Sequence, residues 1–291
     1  MDKKLIGVDL GGTNMRAGLV CDGIIEKVFA SPVPVTENWK EVMDQLIEVI
    51  SNVFSSEVEG IGIGVPGVVD SKTGVVYDIQ NIPSWKEVAV GTILSDHFKV
   101  PVFVNNDANC FAVGERFYGA GKEFDDFVGL ITGTGLGAGI IKWGHLLPDQ
   151  NCGAGEFGMI PYLEENYEFY CSGQFFKNKA GLDGADVARR ADSGDEQALN
   201  LFAEYGKHLA NAIKSIIFAI DPAAIIIGGS VSKSFSYYEK TMKEELATFP
   251  YSGVVEKLVI KPSQMPEIAI LGAAALNFNK QQLIENNYKY A

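Results

Sequence analysis

Two glycine-rich segments flanked by apolar residues carry the first chemical signal: LIGVDLGGTNMRAGLV at residues 5–20 and VGLITGTGLGAGIIK at residues 128–142. Each reads as strand, tight turn, strand, because glycine supplies positive φ at a turn and lets backbone N–H groups approach a ligand with no Cβ in the way. Successive N–H groups in such turns form an anion-binding concavity. Gly11, Gly12, Thr13 and Asn14 in the first turn, and Thr132, Gly133, Thr134 and Gly135 in the second, therefore offer a phosphate cradle made twice. Two such cradles could grip the phosphate tail of a nucleotide from both sides, so phosphoryl transfer is the chemistry they suggest.

Carboxylates and amides stand beside these turns. Asp9 closes the first strand, where it could hold Mg²⁺ through water beside phosphates; in its simpler role it forms an Asx turn. Asp107 lies between a strand and a helix, as an N-cap whose carboxylate accepts from the Cys110 N–H. The same position suits a carboxylate that takes a proton from an attacking hydroxyl. Asn105, Asn106 and Asn109 add amides suited to polyols. Glu156, within GAGEFG, is a charge among small residues and by itself reads as a solvated loop acid. GTGLGA at residues 133–138 formally fits a dinucleotide fingerprint, but that motif needs a following helix, and Gly139-Ile140-Ile141 reads as a second strand. No G-K-[ST] follows the glycines, which excludes a Walker A loop.

The elements that must position these residues alternate strand and helix. Residues 5–30 read as a strand meander, 39–54 as an amphipathic helix, 60–65 as a strand ended by Pro66-Gly67, and 90–98 as a short helix. A strand at 100–104 leads into a helix at 108–118. Asn81 lies in the polar loop between. At residues 119–122, GAGK reads as a flexible hinge, after which the strand, glycine turn, strand pattern begins again. An internal duplication follows, with domains at residues 1–118 and 119–291. Later come a helix at 199–220, a strand at 224–228 turning out through Gly228-Gly229-Ser230, and a final helix at 267–287 that packs back on the first domain.

Composition narrows the partners. The formal net charge of −13 opposes nucleic acid and anionic membrane at long range. Cys21, Cys110, Cys152 and Cys171 show no C-x-x-C pair, and His97, His145 and His208 no metal or triad spacing, so no zinc site is expected. No signal peptide or membrane span is evident, and a soluble cytoplasmic protein is expected.

Taken together, DLGGTNMRAGLV, GIGVPGVVD, NNDANCFAVGE, TGTGLGAGII, CGAGEFG and IIIGGSV, in that order, resemble the ROK family over nearly the whole chain. That family joins sugar kinases with sugar-responsive repressors. The resemblance implies an α/β fold of two ribonuclease-H-like domains, as in actin, hexokinase and Hsp70, with nucleotide and sugar in the cleft between them. It implies ATP and Mg²⁺ as cofactors, Asp107 as general base, and Asn106, Glu156 and Glu168 on the other sugar hydroxyls, with Asn81 a weaker candidate. Gly11, Gly12, Thr13 and the second turn would line the phosphates, and Gly228 and Gly229 would lie near the adenosine. Glu168 is carried over through YEFYCSG at residues 167–173.

Two departures stand out. Met159 occupies the position of a family histidine, and residues 161–166 (PYLEEN) replace a cysteine-rich zinc loop. Aromatic packing by Tyr162, Tyr167, Phe169 and Tyr170 is expected to support that loop. The reading is a glucokinase-like hexose kinase acting at C6, expected as a homodimer. Its alternatives are an N-acetylhexosamine kinase or fructokinase, or a non-catalytic sugar-sensing regulator. A repressor would need a helix-turn-helix segment before the first glycine turn, and four residues precede Leu5.

Overall fold

The computed structural model describes residues 3–79, 81–149 and 153–285. Cys152 and the end of the final helix expected through residue 287 lie outside the described residues. The chain forms two compact units, one of Met1–Asp125, Ile141–Ala154 and Met265–Ala291, the other of Asp126–Ile140 and Gly155–Gln264. Residues 119–125, 141–154 and 265–291 thus group by contact with the first unit.

The first unit is built on β1 (Lys4–Leu10), β2 (Asn14–Cys21), β3 (Ile24–Pro32), α1 (Trp39–Ser51) and β4 (Val58–Val65). A small antiparallel sheet follows, of β5 (Val68–Asp70), β6 (Val75–Tyr77) and β7 (Glu87–Val88), then α2 (Val90–Phe98), β8 (Val102–Asn106) and α3 (Asp107–Phe117). The main sheet has the order β3-β2-β1-β4-β8, with β1, β4 and β8 parallel and β2 and β3 antiparallel. Alternation along β1 puts Ile6, Val8 and Leu10 in the core with α1, whose Val42, Met43, Leu46, Val49 and Ile50 are buried. Leu5 points to the other face, against the final helix.

In the second unit, β9 (Phe127–Thr132) runs through the second glycine turn into β10 (Leu136–Lys142); the last residues of β10 pair with the short β11 (His145–Leu146), and both of those pieces fall in the segment 141–154 grouped with the first unit. There follow the hairpin β12 (Pro161–Tyr162) and β13 (Glu165–Asn166), then α4 (Tyr167–Cys171), α5 (Gly173–Ala180), α6 (Gly184–Asp192) and α7 (Glu196–Ile220). Next come β14 (Ala224–Gly228), α8 (Phe235–Leu246), α9 (Ser252–Val255) and β15 (Val259–Pro262), and then α10 (Ile268–Glu285) of the first unit. The sheet order β11-β10-β9-β14-β15 repeats that of the first sheet strand for strand. The duplicated ribonuclease-H-like pattern is therefore present in both sheets.

Within the first unit, α10 lies on the sheet face opposite α1. A Cβ on Gly62 of β4 would stand 1.8 Å from the Ala273 carbonyl oxygen, so only glycine lets helix and strand backbones approach this closely. Helix α7 starts three residues before the apolar stripe predicts, because Asp195 caps it by accepting from the Gln197 and Ala198 N–H groups at 2.9 and 3.1 Å. The GAGK segment, expected as a hinge, has regular local structure. It winds into a 3-10 turn, Ala120–Glu123, anchored where the Ala120 N–H donates to the Glu115 carboxylate at 2.8 Å.

Candidate active site

In the first unit, parallel pairing sets Asp9, Gly64 and Asn105 side by side at the C-terminal ends of β1, β4 and β8. Open α/β sheets present ligand sites at such ends. Alternation puts Asp9 on the same sheet face as Leu5 and Gly7, the face covered by α3 and α10. Burial raises its carboxyl above the ordinary value, the Arg16 guanidinium offsets part of this, and Glu267 adds to it. Arg16, the cross-strand neighbour of Asp9, is itself ion-paired to Glu267.

Asp107 opens α3 and is exposed. It is not the N-cap. Asn106 takes that place, its Oδ1 accepting from the Ala108 N–H at 2.8 Å while its Nδ2 donates to the Gly67 carbonyl at 3.1 Å. Asp107 Oδ1 shares the same Ala108 N–H at 2.8 Å, so the expected bond to the Cys110 N–H gives way to this arrangement. Asn105 Oδ1 accepts from the Asn106 N–H and the Asn109 amide. The buried Cys110 thiol is pushed well up by burial, then by the charges of Asp107 and Asp9.

The glycines of the two turns do not use positive φ: Gly11, Gly12, Gly133 and Gly135 all lie outside the left-handed region. Clearance explains them instead. A Cβ on Gly12 would meet Asn81 Cβ at 2.2 Å, and one on Gly135 would meet Glu168 Oε2 at 2.6 Å, whereas Gly133 has open space around it. Each turn closes on itself, through Gly11 N–H to Asn14 O at 2.9 Å and Gly133 N–H to Gly135 O at 3.0 Å. Thr13, Asn14 and Thr134 are exposed. Thr132, by contrast, is fully buried and its hydroxyl donates to the Gly228 carbonyl at 3.1 Å, so that side chain ties β9 to β14. Gly229 does adopt positive φ, at 88°, and packs against the Thr132 backbone.

Glu168 and Glu156 gather at the start of β10. Glu168 Oε2 accepts from the Leu136 N–H at 3.1 Å, and the segment carrying Glu156 crosses β10 so tightly that a Cβ on Gly155 would sit 1.9 Å from the Ala138 carbonyl oxygen. Partial burial and then the Glu168 carboxylate raise the Glu156 carboxyl above its usual range. Met159 ends the short turn after Glu156 and is 60% exposed. The β12–β13 hairpin is backed by Tyr162 stacked on Tyr167 at 4.5 Å and edge-on to Tyr170 at 5.5 Å, with Tyr162 Oη 3.2 Å from His208 Nδ1.

Beside the second glycine turn, a cavity of about 580 Å³ is lined by Gly133, Thr134, Gln174, Lys177 and Lys233 among others, and by Ser230 beyond β14. Sequence reasoning passed over Gln174 and the two lysines, which have no motif of their own and become visible only once α5 and the segment after β14 fold to the turn. In the first unit, a second cavity of about 620 Å³ adjoins Gly12 and Asn81. Among the described residues, no three His, Cys, Asp or Glu side chains are grouped to hold a metal ion, and no helix is long and apolar enough to cross a membrane.

The sequence matches the ROK family over residues 5–280. The chain belongs to the ROK family. A glucokinase of Thermotoga maritima is 32% identical across 94% of this chain and 96% of its own length. An N-acetyl-D-glucosamine kinase of Pectobacterium atrosepticum is 28% identical across 80% of this chain and 86% of its own. Among solved structures, a ROK family glucokinase from Streptomyces griseus in complex with glucose and AMPPNP is similar with a TM-score of 0.79 and 27% identity, covering 94% of this chain and 98% of that one. The ROK relationship thus runs the length of both units and carries the two-domain α/β fold with it. The reaction class shared by these ROK relatives is ATP-dependent phosphoryl transfer to a sugar.

Proposed function

We propose that this ROK protein transfers the γ-phosphoryl group of ATP to a hexose hydroxyl, with glucose and its C6 hydroxyl as the first candidate. The observation that carries this reading is an exposed carboxylate, Asp107, directly beyond the parallel strand ends and flanked by Asn106. A proton acceptor there takes the hydroxyl proton as the alcohol attacks phosphorus, while the asparagine amide fixes the sugar. Asn81, Glu156, Met159 and Glu168 would complete the sugar contacts. Glu156 and Glu168 stand close enough at the start of β10 to take neighbouring sugar hydroxyls, and burial together with the Glu168 carboxylate raises the Glu156 carboxyl above its usual range.

The exposed parts of both glycine turns suit the phosphates, the Gly11 and Gly133 N–H groups being spent within the turns. Lys177 and Lys233 on the cavity wall suit an anionic nucleotide, with Gly228 and Gly229 near its nucleoside. Asp9 fits Mg²⁺ as a single carboxylate acting through water, the mode in which that ion leans on substrate phosphates rather than on a protein cage. When bound, the ion would offset charge on the phosphoryl oxygens.

The Pectobacterium relative favours a second reading, an N-acetylhexosamine as acceptor. A coupled ADP-release assay across glucose, mannose, fructose, N-acetylglucosamine and N-acetylmannosamine separates the two, and no ADP release with any of them would refute both. A homodimer is the proposed assembly, read by light scattering.

A further inference from the structure

The side chain of Gln174 spans the Glu168 carboxylate and the second glycine turn. Its Nε2 donates to Glu168 Oε1 at 3.2 Å and to the Thr134 carbonyl at 3.4 Å, one N–H for each. Glu168 in turn holds the first residue of β10 through the Leu136 N–H, and the Gly173 N–H holds the Gly133 carbonyl at 2.7 Å. The start of α5 is fixed by Ser172, whose hydroxyl accepts from the Gln174 N–H at 3.2 Å. Gln174 itself also lines the cavity beside the turn. One half-buried amide therefore bridges a carboxylate suited to sugar and a backbone carbonyl of the turn suited to phosphate.

We propose that Gln174 is a positioning residue that couples the two ligands: by tying Glu168 to the Thr134 turn, it makes nucleotide binding tighten sugar binding and sugar binding tighten nucleotide binding. The physical reason is ordering. A nucleotide that fixes the turn also fixes the Thr134 carbonyl, and through the amide it fixes the rotamer of Glu168 before the sugar arrives. Whichever ligand binds first bears the ordering cost and the second is spared it, and linkage requires the effect to be equal in both directions. Glu168 retains acceptor capacity for a sugar hydroxyl, since each carboxylate oxygen offers two lone-pair sites and the Gln174 and Leu136 bonds use one apiece. This inference rests on the sugar-kinase reading.

The test is calorimetric titration of the full chain with its best sugar from the acceptor panel, alone and with saturating AMPPNP, in the parent, Gln174→Met and Gln174→Asn. Methionine keeps the length and loses both donors; asparagine keeps the donors but is too short to span. In the parent, AMPPNP should tighten the sugar Kd about 5-fold or more, the lower end of ordinary coupling. Both variants should bring that ratio to within about 2-fold of one, with the AMPPNP Kd measured without sugar changing far less. In steady state, the sugar KM should rise more than kcat falls. A parent without coupling, or either variant with the parental ratio, overturns the proposal while leaving the kinase reading intact. A parent that binds neither a sugar nor AMPPNP overturns the kinase reading, and the coupling with it.

Discussion

Replacing Gly135 by alanine perturbs the site at one defined point. The new Cβ would lie 2.6 Å from Glu168 Oε2 and 3.3 Å from its Cδ, closer than carbon and oxygen can settle, and both obstructing atoms belong to a side chain that can rotate away. Gly135 lies outside the left-handed region, so the backbone itself is not strained. The cost is what Glu168 gives up in moving: the bond from the Leu136 N–H at 3.1 Å and the bond from Gln174 at 3.2 Å. A hydrogen bond to a charged group contributes about 1.5–3 kcal/mol when well shielded; because Glu168 is partly exposed and its displaced carboxylate is rehydrated, the combined loss of the two bonds falls below that shielded sum, to about 1–2 kcal/mol. For units of this size that corresponds to a fall in Tm of roughly 2–8 °C. The sugar contact would suffer with it, so KM for the sugar should rise while the nucleotide KM changes less. Differential scanning calorimetry and steady-state kinetics on the same preparation read both. A variant with Tm within 1 °C of the parent and an unchanged sugar KM would show that Glu168 is not held in the way described.

Other expectations follow from single observations. Asp9→Asn should raise Tm at neutral pH while lowering activity: a carboxyl whose folded value is raised is penalised once ionised, so the gain is present above that folded value and fades as pH falls to the ordinary carboxylate value of 3.8. Calorimetry between pH 3 and pH 8 checks the sign, and a variant less stable than the parent at pH 7 would contradict it. Met159→His should sharpen the choice between glucose and its epimers and deoxy analogues, because an imidazole can hydrogen-bond a hydroxyl that a thioether accepts only weakly; identical kcat/KM ratios in both proteins would show that position 159 does not read the sugar. Elemental analysis should find no stoichiometric zinc, since residues 161–166 carry no cysteine or histidine, and one tightly bound zinc per chain would refute this.

Much of the architecture is legible in the sequence because the glycine turns break apolar runs of strand length twice in the same order. Where the reading failed, competing local bonds decided the outcome. Asn106 and Asp107 are both good N-cap residues, and Asn106 is the cap because its backbone is still extended where Asp107 has already entered the helix. Thr132 looks like its neighbour Thr134, yet alternation along β9 buries the one and the turn exposes the other. Of the two reasons the sequence offers for the turn glycines, positive φ is not used at Gly12 and Gly135, and the missing Cβ makes room for Asn81 and Glu168, residues 69 and 33 positions away. The small residues at 119–122 give no sign of their anchor, the Glu115 carboxylate five residues upstream of Ala120. Long-range partners of this kind leave no mark on local spacing.

The central claim, that Asp107 accepts the proton of the attacking hydroxyl, is tested most directly by Asp107→Asn assayed for turnover and for sugar binding in one preparation. The amide keeps the hydrogen-bonding shape, including an oxygen for the Ala108 N–H, but cannot take the proton. The expected result is a fall in kcat of about 10²- to 10⁴-fold with the sugar Kd changed by no more than a few-fold. Turnover of the best sugar at near the parental rate would contradict the account.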